Sequence, residues 1–261
     1  MTPQLQLIYE TESTRRCPVR DVAFFAGSDQ VAIVGQEGIT FVVDGERSDH
    51  PTPEPLYALQ RDGSDLVSFG RYGLIARLRD GGGDDPASVT IEAEHLSPPR
   101  SYLYALQREG DVLRAISPGS VLRREEGQWS TEARGYAPVV DIVGQQLMDE
   151  MTDARHYGRV HDSESSAMAE FSEDAVTFRG FGAERTLALP DALRGVPNTE
   201  RGGAFSGGHF ATWSGRNVGL LEAGRWQVFE MPTDVNGVVS TPTKPLLVHG
   251  CQHVWLATPS E

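Results

Sequence analysis

Leu56-Tyr57-Ala58-Leu59-Gln60-Arg61-Asp62-Gly63 returns 47 residues later as Leu103-Tyr104-Ala105-Leu106-Gln107-Arg108-Glu109-Gly110. Seven of the eight positions are identical, and the eighth exchanges Asp for Glu. Internal repetition of this kind marks a recurring unit of structure and takes precedence over local readings. The sequence after each copy agrees in pattern too. Asp65 to Gly81 reads DLVSFGRYGLIARLRDG, and Asp111 to Gly127 reads DVLRAISPGSVLRREEG. Each is a short apolar run, a Gly turn and a second apolar run. Runs of 4–7 residues rich in Val, Leu, Phe, Tyr and Trp and bounded by Gly, Asp, Asn and Pro are strands.

Weaker copies extend the pattern. Val22 to Val43 keeps the two-strand spacing, with Gly35 and Gly38 at its turn. Ala167 to Leu189, Ala204 to Phe229 and Val238 to Leu256 follow it, and Val139 to His161 follows it poorly. Units therefore start near residues 22, 56, 103, 139, 167, 204 and 238. No window sustains a helical period over three turns. Gln145 to Arg155 is the best helical candidate, with room for two turns.

Short strands in units of roughly 40 residues with Gly turns resemble a β-propeller, whose four-stranded blades protect their edges by radial repetition. The resemblance is to bacterial WD40-like and BNR-like repeat propellers and spans the whole chain. It rests on the two LYALQR[DE]G copies, the Val31-to-Gly38 and Leu66-to-Gly73 turns, and the Arg123-to-Trp129 tail. The Trp-Asp dipeptide of WD40 blades is absent, as is the sialidase box, so no catalytic role carries over. The resemblance implies a single all-β domain over residues 1–261. Seven starts predict seven short blades. Six is the alternative if the units near 139 and 167 form one blade. The final unit has room for three strands, so Leu5 to Tyr9 is expected to supply the missing outer strand and close the last blade.

The chain has 261 residues with 37 acidic and 23 basic side chains, a net charge of −14. That balance argues against nucleic acid and anionic membranes as partners, because phosphate binding needs basic clusters. No run of 18 apolar residues is present, so no transmembrane helix is expected. The amino terminus lacks the apolar core of a secretory signal, and the expected compartment is the cytoplasm. Of the basic residues 22 are Arg and one is Lys244, a bias of GC-rich bacterial genomes. Cys17 and Cys251 give no disulfide framework, and in the cytoplasm they are expected as small buried thiols.

Motifs for chemistry are sparse. Ser206 stands one position late for a G-x-S-x-G nucleophile turn, and no G-x-G-x-x-G or P-loop occurs. His249, Cys251 and His253 are spaced to share a strand face, and with Cys17 they form a candidate zinc set. The intervening Gly250 argues that they diverge. The acidic stretches Asp149 to Glu164 and Asp80 to Asp85 read as solvated loops. Trp129, Trp226 and Trp255 read as packing between blades. No metal and no cofactor are expected.

The turns between second and third strands are more informative. They are expected to carry Arg71-Tyr72, His156-Tyr157 and Arg216, with Gln36-Glu37 and Ser117-Pro118 beside them, and Arg100 and Tyr102 on the same side. Arg and Tyr are the residues enriched at binding hot spots. The expected function is a non-enzymatic protein–protein interaction module, a subunit or adaptor of a bacterial assembly. Net charge points to a protein partner that is basic. The alternatives are a hydrolase or lyase using His, Asp and Glu around a central channel, and a propeller binding carbohydrate or another small ligand.

Overall fold

The computed structural model describes residues 3–15, 17–81, 88–96, 103, 105–109, 112–117, 119–126, 128–143, 159–161, 168–180, 184–197, 201–206, 209–241 and 244–258. These residues form six four-stranded antiparallel sheets. Their contacts divide the chain into two compact units. One comprises Met1–Glu12 and Asp149–Glu261, the other Ser13–Met148.

In the unit Met1–Glu12 and Asp149–Glu261, the strand β1 (Gln4–Glu10) pairs with the last strand of the chain, as the sequence predicts; its register runs from Gln4 opposite Thr258 to Glu10 opposite His253. In the other unit, β2 (Val19–Phe24), β3 (Val31–Gly35), β4 (Gly38–Val43) and β5 (Glu46–Pro51) make the first sheet. The second holds β6 (Leu56–Asp62), β7 (Asp65–Gly70), β8 (Leu74–Arg79) and β9 (Thr90–His95). The third holds β10 (Ala105–Glu109), β11 (Val112–Ser117), β12 (Ser120–Glu125) and β13 (Gln128–Arg134), and is followed by the helix α1 (Tyr136–Val143).

The unit that includes β1 holds the remaining sheets. The fourth is β14 (Arg159–His161), β15 (Met168–Phe171), β16 (Ala175–Arg179) and β17 (Arg185–Ala188). The fifth is β18 (Gly202–Ser206), β19 (His209–Ser214), β20 (Asn217–Glu222) and β21 (Arg225–Glu230). The sixth is β22 (Gly237–Thr241), β23 (Lys244–His249), β24 (His253–Thr258) and β1. The first five sheets are meanders, the sixth is three consecutive strands completed by β1, and the two octapeptide copies stand at the start of the second and third sheets.

Two expectations change here. Val139 starts no strand but lies within α1, and Ala167 precedes the second strand of a sheet whose first strand is β14. The units placed at 139 and 167 thus contribute one described sheet. The helical candidate Gln145 to Arg155 lies outside the described residues.

Burial follows strand rank. All five residues of β3 and all six of β4 are buried, whereas the outer β5 and β9 alternate with mostly exposed side chains. Continuous apolar runs in inner strands and alternation at the edge are what sheets stacked face to face require. Neighbouring sheets share cores. Phe25, Phe41, Leu56, Leu66 and Leu78 knit the first two sheets, and Val67, Phe69, Leu113 and Leu122 the second and third. The tryptophans pack between sheets as expected. Trp129 Nε1 donates to Glu94 at 3.3 Å across the second and third sheets, and Trp226 Nε1 donates to the Ala188 carbonyl at 2.9 Å across the fourth and fifth. Trp255 packs against the core shared by the fifth and sixth.

One buried cation braces the fourth sheet. Arg201 donates to the carbonyls of Ser172 at 2.8 Å, Glu173 at 3.2 Å and Leu193 at 2.6 Å, and lies 5.3 Å from the Phe171 ring centroid. It thereby holds the β15–β16 turn to the short 3₁₀ turn Asp191–Leu193. Burial pushes the guanidinium pKa down, as desolvation of a cation does.

Candidate docking face

The site is set by a backbone device used twice. The Pro18 carbonyl accepts from Gln36 N at 2.9 Å, and the Pro55 carbonyl accepts from Arg71 N at 3.1 Å. The residue before each donor is a glycine. A Cβ on Gly35 would lie 1.7 Å from the Pro18 oxygen, and one on Gly70 would lie 2.2 Å from the Pro55 oxygen. Only glycine lets the two chains approach this closely. The turn after the second strand is thus clamped to the start of the first in both sheets.

Both first strands bulge at the next step. The register of β2 slips between Val19 and Asp21, and that of β6 between Leu56 and Ala58. A bulge re-aims the extra residue, here Arg20 and Tyr57. They meet across the two sheets, with the Arg20 guanidinium 5.8 Å from the Tyr57 ring centroid. With its amide oxygen turned to Arg20, Gln36 accepts from Nη2 at 2.8 Å and from Nε at 3.2 Å. Arg15 Nη1 donates to the Gln36 carbonyl at 2.8 Å.

Arg71 and Tyr72 stand at the neighbouring turn. Leu74 N donates to the Arg71 carbonyl at 3.2 Å, and Tyr72 and Gly73 have φ of 53° and 78°. Positive φ at both central positions is the type I′ hairpin turn, which suits the twist of the strands and favours Asn, Asp or Gly. The Arg71 guanidinium lies 5.2 Å from the Tyr72 ring centroid, a cation–π contact at an exposed site. Tyr72 is 47 % exposed, and among the described residues only it and Leu7 are exposed large hydrophobic side chains.

Behind Arg20 in the same strand stands a half-buried acid. Asp21 accepts from Leu59 N at 2.7 Å and Val22 N at 2.8 Å, linking the first strands of the two sheets. Burial raises its pKa to about 6, against the lowering effect of the two amide donors. The sequence reading missed Asp21, although an acid inside the apolar strand Val19–Phe24 was a visible signal. It also missed Arg15, Arg20 and Tyr57. The recurring spacing Pro18-Val19-Arg20 and Pro55-Leu56-Tyr57 marks the last two once the sheets are aligned.

Of the expected site residues, Arg71 and Tyr72 come together. Arg216 lies in the other unit and is engaged in its own sheet, donating from Nε to the Met231 carbonyl at 2.7 Å and pairing with Glu230 at 3.2 Å. Arg100, Tyr102, His156 and Tyr157 lie outside the described residues, as does most of the acidic stretches Asp149 to Glu164 and Asp80 to Asp85.

The candidate zinc set does not assemble. His249 ends β23 and is buried, Cys251 sits in the exposed β23–β24 turn, and His253 begins β24, 3.1 Å from the Glu10 carboxylate. The turn, not a continuous strand, separates the three. Neither cysteine is the free thiol expected, so neither offers a thiolate. His249 is pushed down to about 4, chiefly by burial. Among the described residues no group of three His, Cys, Asp or Glu side chains is placed to hold a metal.

Six four-stranded antiparallel sheets from a repeated unit define an all-β propeller, and comparison with solved structures agrees. Several matches cover both chains almost whole, three of them as follows. YCF48 from Cyanidioschyzon merolae matches with a TM-score of 0.52 and 12 % identity, over 97 % of this chain and 98 % of that one. A luciferin-regenerating enzyme matches at 0.50 and 13 %, over 98 % and 95 %. The calcium-binding protein regucalcin from Agrobacterium tumefaciens matches at 0.51 and 10 %, over 100 % and 96 %. At such identities the likeness is one of fold alone. No family model and no curated protein matches the chain.

Proposed function

We propose that this propeller is a non-enzymatic interaction module that docks a partner protein through the face bearing Arg71 and Tyr72, as a subunit or adaptor of a bacterial multiprotein assembly. The observation that carries this reading is Tyr72. An aromatic side chain in the left-handed region is held there against its own preference. Its 47 % exposure means that burial does not offset that strain. Strain kept at an exposed aromatic points to a role outside the fold. Tyr beside Arg is also the pairing that dominates binding energy at protein interfaces. Net charge of −14 favours approach of a partner that is basic overall.

The test is capture of a stoichiometric protein partner by the tagged chain from its own cells. Loss of that partner with Arg71→Ala or Tyr72→Asn, but not with Arg47→Ala on the outer strand β5, supports the reading. Equal capture by all variants rejects it.

A further inference from the structure

We infer that the partner's contact at this face is an acidic segment, whose carboxylates are received by Arg15 and Arg71. This rests on the docking reading above and names the chemistry of what docks. In a chain with 37 acids and 23 bases, several arginines find carboxylates. Arg77 bridges Asp62 at 2.7 Å and Asp65 at 2.8 Å, Arg114 grips Glu132 at 2.8 Å and 3.1 Å, and Arg47 holds Asp49 at 2.7 Å. Arg71 differs. Among the described residues its guanidinium has the Tyr72 ring beside it and no carboxylate partner. Arg15 likewise meets a neutral carbonyl.

Arg15 and Arg71 stand on the same two neighbouring sheets. Arg15 touches Gln36, Gln36 touches Arg20, and Arg20 overlies Tyr57. Tyr57 stands two residues after Pro55, whose carbonyl holds the Arg71 amide. Guanidinium forks match carboxylates two bonds at a time. The acids flanking this end, Glu37 and Glu54, pair with neither Arg15 nor Arg71.

Length scale selects the kind of anion. At physiological ionic strength fields decay over about 8 Å. A short acidic segment lying on the face is governed by the arginines under it. A long polyanion extends over the rest of an acidic surface and is repelled. The overall charge thus steers a basic partner inward, while the face selects an acidic stretch within it.

The test titrates the purified full chain against a fluorescein-labelled hexaglutamate peptide by anisotropy. Labelled hexalysine and a single-stranded oligonucleotide long enough to extend beyond the face serve as comparisons. Hexaglutamate is expected to bind, and Arg71→Ala and Arg15→Ala are each expected to weaken it about fivefold, the upper range for an exposed ion pair. Arg71→Glu, which leaves the backbone of the turn intact, is expected to reverse the preference toward hexalysine. Absent binding, binding unmoved by Arg71→Ala, or equal binding of the oligonucleotide overturns the inference. If hexaglutamate fails while partner capture still depends on Arg71 and Tyr72, the acidic segment falls and the docking face stands. If capture ignores both residues, both fall.

Discussion

Tyr72 sets side chain and backbone against each other. The type I′ turn fixes its φ at 53°, where a Cβ costs about 1 kcal/mol. The stack on Arg71 returns about 0.5 kcal/mol at an exposed site. The balance predicts that Tyr72→Asn, which suits the left-handed region, raises stability by about 0.5 kcal/mol while it weakens docking. Urea unfolding and partner capture on the same variant check the two signs. Tyr72→Asn less stable than the parent would mean that the ring packs on the fold, and the strain argument would fail. Arg71 and Tyr72 were legible because a turn between apolar runs announces itself in Gly and polar residues. Arg20 and Tyr57 were not, because what turns them toward each other is a bulge. A one-residue slip leaves no trace in an alternating pattern.

The strand-turn-strand element was legible in Val31 to Gly38 and Leu66 to Gly73, but its glycines do two jobs that sequence does not separate. Gly38 and Gly73 have φ of 125° and 78° and supply conformational freedom. Gly35 and Gly70 supply room for a carbonyl. In the unit containing β1 both occupants occur: a Cβ on Gly250 would lie 2.3 Å from the Asp234 carbonyl oxygen, while one on Gly202 would lie 2.2 Å from Trp213 and one on Gly237 2.2 Å from His249. Gly70→Ala is therefore predicted to destabilise by about 2 kcal/mol or more, as overpacking against backbone does. It is also predicted to weaken partner capture, because it breaks the Arg71 N bond to Pro55 that positions the docking turn. Denaturant unfolding with capture tests this, and unchanged values would remove the clamp from the account. Helix α1 shows the opposite error. Val139-Val140-Asp141-Ile142-Val143 has the β-branched content of a strand. Its helix is started by Gly135, whose carbonyl accepts from Val139 N at 3.2 Å. Pro138 falls in the first turn, where a missing N–H is harmless. Tertiary context overrode the local preference.

Across the whole molecule, repetition made the class of fold readable, while charge made only the sign of the surface readable. Burial of individual acids and bases is set by packing and has no signature in composition. Asp21 and His249 show the consequence for pH. Asp21 is raised by burial from 3.8 to about 6, so the native state keeps a proton that the unfolded chain releases. Its contribution is lost as pH rises through that window, by roughly 2–3 kcal/mol. His249 is lowered by burial from 6.5 to about 4, so the unfolded chain takes a proton that the native state refuses. Its contribution is lost as pH falls through nearly the same window, by a similar amount. Asp49 and Asp65 act elsewhere. Burial works to raise both, but hydrogen bonds from Arg47 to Asp49 and from Arg77 to Asp65 prevail and hold them low, so their stabilisation fades below about pH 4. If the chain unfolds in one transition, the Asp21 and His249 slopes oppose each other and its stability stays nearly level between pH 4 and 6.5. Asp21→Asn removes one slope. It is predicted to leave a stability that climbs by roughly 2–3 kcal/mol over that interval, read by urea unfolding at about pH 4.5 and about pH 7. A variant as level as its parent would show that Asp21 is ionised where it lies, and that the link between β2 and β6 is a charged one.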